Sequence, residues 1–534
     1  MQADRLVSPQ QLKRMLGDGR ELALLDVREE GVFSLRHLLF AVPLALSRLE
    51  LRLDALVPRR STRIVLYDAA DGLAERAANR LAAFGYRDVA ILEGGVEGWA
   101  RAGYELFSGV NVPSKAFGEF VEHHEETPRL SAAEVKRLKD AGTDMVILDS
   151  RPVSEYRNMS IPGGIDCPGA ELVYRVHDLA PWPSTLVVVN CAGRTRSIIG
   201  AQSLINAGIP NRVVALKDGT MGWHLAGLEL EHGADRLAPV PSANGLATAK
   251  AAAARVGRRF GVKSIDADRL ERFVGERDER SLYLLDVRSP EEFQAGHRSG
   301  SRSAPGGQLV QATDFYVGTR NARLVLIDDT GVRSTMTASW LIQMGWPEVY
   351  VLEGGLDGIA LERGPAPRAV LGLDEAKANT LAAIQLQAML ERGEAVVLDL
   401  DTSLNYRERH IPGAWFVIRA RLGTSITKLP QSGALVLTAA DDALARLAAA
   451  DLAGLTSRPV KVLAGGTAAW HAAGLKLESG QEHMADAADD VWYRPYDRAK
   501  GREQAMRDYL SWEVDLVQQI ERDGDARFTQ FPRI

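Results

Sequence analysis

One cysteine stands where its neighbours can make it a nucleophile. Cys191 is followed by Ala192, Gly193, Arg194, Thr195, Arg196 and Ser197, a short run with two fixed cations and two hydroxyls. A thiol reacts as its thiolate, and nearby positive charge or backbone N–H groups favour that form. A loop that turns its N–H groups inward at the start of a helix is a seat for an anion. Cys191 is therefore read as a thiolate nucleophile of lowered pKa. Arg194 and Arg196, with Thr195, Gly193, Ala192 and Ser197, are read as the groups that hold an anionic substrate beside the sulfur. Ser197 serves equally as a helix cap.

Such a loop needs a strand behind it and a helix ahead. Leu186 to Val189 is a short apolar, β-branched run of the kind that forms a buried parallel strand, and Ile198, Ile199, Gln202, Leu204 and Ile205 have helical spacing. Upstream, Ile147-Leu148-Asp149-Ser150-Arg151 leads to Glu155-Tyr156 and Ile161-Pro162-Gly163-Gly164; downstream come Val213 to Leu216 and Gly219 to Trp223. This series resembles the rhodanese family of sulfurtransferases, with Ser160 where the family has histidine and Asp218 in place of the first glycine of a Gly-Gly turn. The resemblance implies a persulfide on Cys191, loaded from thiosulfate and discharged to cyanide or a thiol by double displacement, without metal or organic cofactor. It also makes Arg196, at the loop's end, the stronger substrate contact.

The unit recurs. Asp26, Asp149, Asp286 and Asp399 each end an apolar strand, and each is followed after 42, 42, 42 and 40 residues by the position just past a second strand: Asp68, Cys191, Asp328 and Ala439. A glycine-rich turn then follows in every copy, at Gly94-Gly95, Asp218-Gly219, Gly354-Gly355 and Gly465-Gly466. Strands alternating with helical stretches such as Leu73 to Phe84 and Met336 to Met344 predict α/β domains, each a mostly parallel sheet with helices on both faces. The expected domains are residues 1–107, 128–233, 263–364 and 372–480, with a helical tail at 481–534 that docks on the body. Ser108 to Thr127 and Ala234 to Val262 join them, the latter with a helical Ala-rich run, Ala249 to Arg259.

Only the second copy has a sulfur nucleophile, so the first, third and fourth read as inactive rhodanese-like domains. By family analogy the first is expected to wall the cleft of the second; the third and fourth, lacking a nucleophile, are expected only to shape and stabilise the assembly. A form ending near Ala234 is then expected to stay active. Composition agrees with a globular protein: 534 residues, 46% hydrophobic, 25% charged, net charge −6. It gives no support for a nucleic-acid or acidic-membrane partner. No apolar run reaches membrane-spanning length and Met-Gln-Ala-Asp-Arg lacks a signal-peptide core, so the cytoplasm is the expected location.

The remaining candidates have blander readings. Cys167, the second of two cysteines, reads as a structural thiol before a resolving one. Asp149 and Arg151 read as an internal brace, His123 and His124 as a solvated linker face, and the aromatic run Trp492 to Tyr496 as packing before a lid. Three other functions stay open: a 3-mercaptopyruvate or protein-persulfide donor, a rhodanese-like phosphatase, and a sulfur-carrier or regulatory scaffold with a protein acceptor. The related enzymes that use 3-mercaptopyruvate resemble a loop with small, neutral residues after the cysteine, so the two arginines here disfavour that donor. The phosphatase would need arginine six positions after the cysteine, where Ser197 stands.

Overall fold

The computed structural model describes residues 5–532, so Met1 to Asp4 of the N-terminal stretch and the last two residues of the tail lie outside it. Among the described residues no helix is long and apolar enough to cross a membrane. Each repeat is a five-stranded parallel sheet. In the second the order is Arg129–Leu130, Val213–Leu216, Leu186–Asn190, Met145–Asp149, Ile165–Asp166, and the other three share that order. A two-stranded antiparallel ribbon, His297–Arg298 with Leu361–Glu362, accompanies the third.

Covering both faces of a sheet demands continuous apolar strands, and Leu186–Asn190 is buried at every position. Its side chains alternate between two cores. Val187 and Val189 join Leu172 and Leu204 on one face; Leu186 and Val188 join Val135 and Trp223 on the other.

Register explains the constant spacing. Asp26 pairs with Tyr67, Asp149 with Asn190, Asp286 with Ile327 and Asp399 with Thr438, so the next residue is in each case the first beyond the sheet. The glycine-rich turn closes on that residue. A Cβ at Gly95, Gly219, Gly355 or Gly466 would lie between 1.9 and 2.3 Å from the carbonyl oxygen of Asp68, Cys191, Asp328 or Ala439, and all four have positive φ. Asp218 adopts the same left-handed conformation as Gly94, Gly354 and Gly465.

The repeats do not pair in chain order. One compact unit comprises the described residues up to Leu12, with Ala23–Val110 and Arg368–Tyr493; the other comprises Lys13–Leu22, Asn111–Pro367 and the described residues from Arg494 on. The first repeat thus belongs with the fourth and the second with the third, which corrects the expectation that the first walls the second. Both pairs use the segment after the short edge strand. In one unit the turn Leu46–Arg48 meets Arg419–Arg421, and Arg419 pairs with Glu50 at 2.6 Å. In the other, Gly169 packs against Gly307, whose Cβ would lie 2.9 Å from the Gly169 nitrogen.

The join between these partners is the helix Ala243–Phe260, which buries Ala249, Ala252, Ala253, Val256 and Phe260 between helices Leu172–Leu179 and Val332–Gln343. The tail forms the helix Arg502–Asp523, with Met506, Leu516 and Ile520 buried. The first agrees with the Ala-rich run read as helical and the second with the helical periodicity of the tail.

Candidate active site

Cys191 follows directly on the strand Leu186–Asn190, at the carboxyl end of the sheet where open α/β folds place ligands, and the helix Thr195–Asn206 starts four residues later. The residue is 2% exposed. Its Sγ donates to Ser197 Oγ at 3.5 Å, while Ser197 Oγ donates to the Arg194 carbonyl at 2.8 Å. The Ser197 N–H and hydroxyl both favour the thiolate form. Among the described residues, the N–H groups of Ala192 to Arg196 donate to no protein acceptor.

The third repeat fills the same loop with an anion of its own. The Asp328 carboxylate accepts from the N–H groups of Gly331 at 2.9 Å, Arg333 at 3.0 Å and Ser334 at 3.5 Å, and from Ser334 Oγ at 2.8 Å. These are the counterparts of Arg194, Arg196 and Ser197. In the first repeat Asp68 accepts from the N–H groups of Ala70 at 2.8 Å and Ala74 at 2.9 Å. The loop geometry therefore suits a negative charge at the position that Cys191 holds in the second repeat.

The two arginines are not alike. Arg194 was expected beside the substrate, but its guanidinium is taken up by Glu119 at 2.6 Å, Glu122 at 2.5 Å and Asp218 at 3.3 Å. It ties the loop to the helix Val112–Glu125, which runs through the segment read as a link. Asp218, the departure from the glycine pattern, supplies one of its partners. Arg196 pairs with Glu155 at 2.8 Å and donates to Gln308 of the third repeat at 3.3 Å. That pair holds the Glu155 carboxyl down to about 2 against the effect of burial. In mirrored fashion Arg333 reaches Glu171 of the second repeat at 2.9 Å.

Sequence reasoning missed the groups that roof the loop. Lys115, from Val112–Glu125, donates to the Tyr509 hydroxyl, and its Nζ lies 4.5 Å from the Tyr509 ring centre and 5.0 Å from that of Trp512. Tyr509 donates to Glu513 Oε1 at 3.0 Å, and Thr195 Oγ1 donates to the same oxygen at 3.3 Å. Glu513 Oε2 is buried without a hydrogen-bond partner. It faces the loop: a Cβ at Gly193 would lie 3.1 Å from it and 3.0 Å from Met221 Cε. Desolvation pulls Lys115 down to about 8 and pushes Glu513 up. The only trace of this roof in the sequence is the helical periodicity of the tail.

Electrostatics also correct the expected low thiol pKa. Burial pushes the Cys191 thiol up, with Glu513 adding to that effect; the Arg196 charge and the Ser197 hydrogen bonds oppose it without cancelling it. Cys167 lies fully buried in the apolar core and its thiol is pushed well up by burial. Arg151 braces Asp149 at 2.7 Å, as Arg28 braces Asp26 and Arg288 braces Asp286.

Known proteins share this organisation. The family model for the rhodanese-like domain matches residues 8–102, 131–226, 266–362 and 382–473. A crystal structure of a thiosulfate sulfurtransferase from Pseudomonas aeruginosa is 50% identical, with a TM-score of 0.94 over 99% of this chain and 100% of that one. The thiosulfate sulfurtransferase GlpE of Pseudomonas aeruginosa is 34% identical over 80 residues, 15% of this chain and 70% of GlpE. The HTH-type transcriptional regulator Rv0324 of Mycobacterium tuberculosis is 33% identical over 105 residues, and the matched part spans 45% of its length. Each matched segment contains the central strands and the loop of one of the four sheets, and the chain belongs to the rhodanese family.

Proposed function

We propose that the protein is a thiosulfate sulfurtransferase whose working residue is Cys191. The thiolate attacks the outer sulfur of thiosulfate; the bond to the sulfonate sulfur breaks and its electron pair leaves with sulfite. The persulfide, an anion, then rests on the loop N–H groups until cyanide or a thiol takes the sulfur and regenerates the thiolate. Arg196 offsets charge beside the sulfur. Thr195, Gly193, Ala192 and Ser197 shape the cradle, while Arg194 acts by holding the loop to its neighbouring helix. The reaction needs only small-molecule sulfur compounds, and we place it in the cytoplasm.

One observation carries this reading: in the third repeat a carboxylate occupies the N–H cradle that surrounds Cys191 in the second. The test is intact-mass spectrometry of wild type and Cys191→Ser after brief exposure to thiosulfate. Wild type alone should gain one sulfur, about 32 Da, and lose it to cyanide. No gain on wild type would reject thiosulfate as donor. Failure with mercaptopyruvate and protein persulfides as well would favour a scaffold.

A further inference from the structure

An open hollow of about 640 Å³ lies on the second repeat, beside the Glu155–Arg196 pair, and is lined by Arg151, Ser154, Glu155, Asn158, Arg494 and Tyr496. Arg494 and Tyr496 come from the tail, which has no counterpart in the repeats. Every carboxylate that bears on the hollow is already paired. Asp149 holds Arg151 at 2.7 Å, Glu155 holds Arg196 at 2.8 Å, and Asp497 holds Arg494 at 3.0 Å.

The donors there are not used up. Arg151 is fully buried, and its Nη1 has no hydrogen-bond partner, although Nε and Nη2 are fixed on Asp149 and the Met159 carbonyl. The matching Nη1 atoms of Arg28 and Arg288 are not buried and unpaired in this way. Arg494 spends Nε on Asp497 and Nη1 on the Tyr496 oxygen at 3.4 Å, which leaves the Tyr496 hydroxyl proton free to donate. Ser154 and Asn158 are exposed on one face of the short helix Val153–Asn158, four residues apart. A neutral hollow rich in unspent donors, two of them on guanidinium groups, suits a planar oxyanion.

We infer that this hollow seats a carboxylate of the sulfur acceptor, so that the physiological acceptor is an organic thiol with an acidic group distant from its sulfur. The inference rests on the sulfurtransferase reading. Thiosulfate is too compact to fill the role, because the hollow meets the Cys191 loop only through Glu155, which lines the one and pairs with Arg196 of the other. In the step concerned the acceptor thiolate attacks the outer sulfur of the Cys191 persulfide. A new S–S bond forms on the acceptor, the old one breaks, and its electron pair returns to Cys191 as thiolate. Arg151, Arg494 and Tyr496 only hold the carboxylate.

The experiment uses full-length protein loaded with thiosulfate and freed of excess donor. Discharge is followed by intact mass against 6-mercaptohexanoate, which carries a carboxylate far from its thiol, and 6-mercaptohexanol, which does not. Wild type should show the lower half-saturation concentration for 6-mercaptohexanoate. Arg494→Ala should shrink that preference about tenfold, the worth of one charge-assisted hydrogen bond, and Arg494→Lys should restore part of it. Tyr496→Phe, which keeps the ring, should shrink it in the same direction. An unchanged ratio in both variants would overturn the assignment. So would a change confined to loading by thiosulfate, which would make the hollow the donor's seat. A wild type that never gains sulfur would fail at the loading step, and the function itself would fall together with this inference.

Discussion

At the scale of single residues, the loop sets two opposing influences on one sulfur. Burial raises the energy of the thiolate, and the Arg196 charge lowers it. Replacing Arg196 by methionine should therefore push the Cys191 thiol further up and slow its alkylation near neutral pH by about tenfold, one pKa unit's worth. The rate measured as a function of pH checks this, and an unshifted profile would show that the Arg196 charge does not reach the sulfur. The identities of Cys191 and its loop neighbours were legible in the sequence because their types and spacing carry the chemistry. The partners of Arg194 were not, since Glu119 and Glu122 lie some seventy positions away and their side chains read as linker charge.

At the scale of elements, each repeat needs its leading aspartate buried beside the key loop. In three repeats an arginine two residues on neutralises it. The fourth has Asp401 there instead, and burial pushes the unpaired Asp399 carboxyl up to about 7. A carboxyl raised on folding is most favourable when protonated, so its contribution declines as pH rises from the ordinary carboxyl value through about 7. Asp399→Asn keeps an acceptor for the Asp401 N–H and removes the charge. It should be more stable than wild type at pH 8, by up to about 4 kcal/mol, with the difference vanishing near pH 4. Denaturant melts at both pH values decide the matter; an equal difference at both would point to packing instead of charge. The repeat periodicity itself was open to reading, because register ties the aspartate to the last residue of the next strand whatever the intervening sequence.

At the scale of the molecule, the second repeat is completed by distant parts of the chain. The third repeat supplies Gln308 to Arg196, and the tail supplies Tyr509 and Glu513 over the loop, with Thr195 bonded to Glu513. The helix Ala243–Phe260 covers the core cluster that contains Leu172, Val173 and Leu204. A form ending near Ala234, expected to remain active because the later repeats lack a nucleophile, would lose all three supports. It should lose soluble folded protein or most of its sulfurtransfer. A full-length chain cut after Tyr493 should keep its folded repeats but expose Cys191, with alkylation at least about tenfold faster than wild type as burial is relieved. Full activity in the first form, or unchanged alkylation in the second, would contradict this account.

The sequence by itself determined the repeated α/β unit and the strand–loop–helix that carries Cys191, because hydrophobic period, strand length and residue type are local properties. It also carried the tail helix through its periodicity and the joining helix through its Ala-rich composition. Only the tertiary structure decided which repeats partner, that Arg194 is tied to Glu119 and Glu122 while Arg196 pairs with Glu155, and that burial pushes the Cys191 thiol up. Those outcomes depend on desolvation and on pairings across hundreds of residues, and neither is expressed in any short stretch of chain.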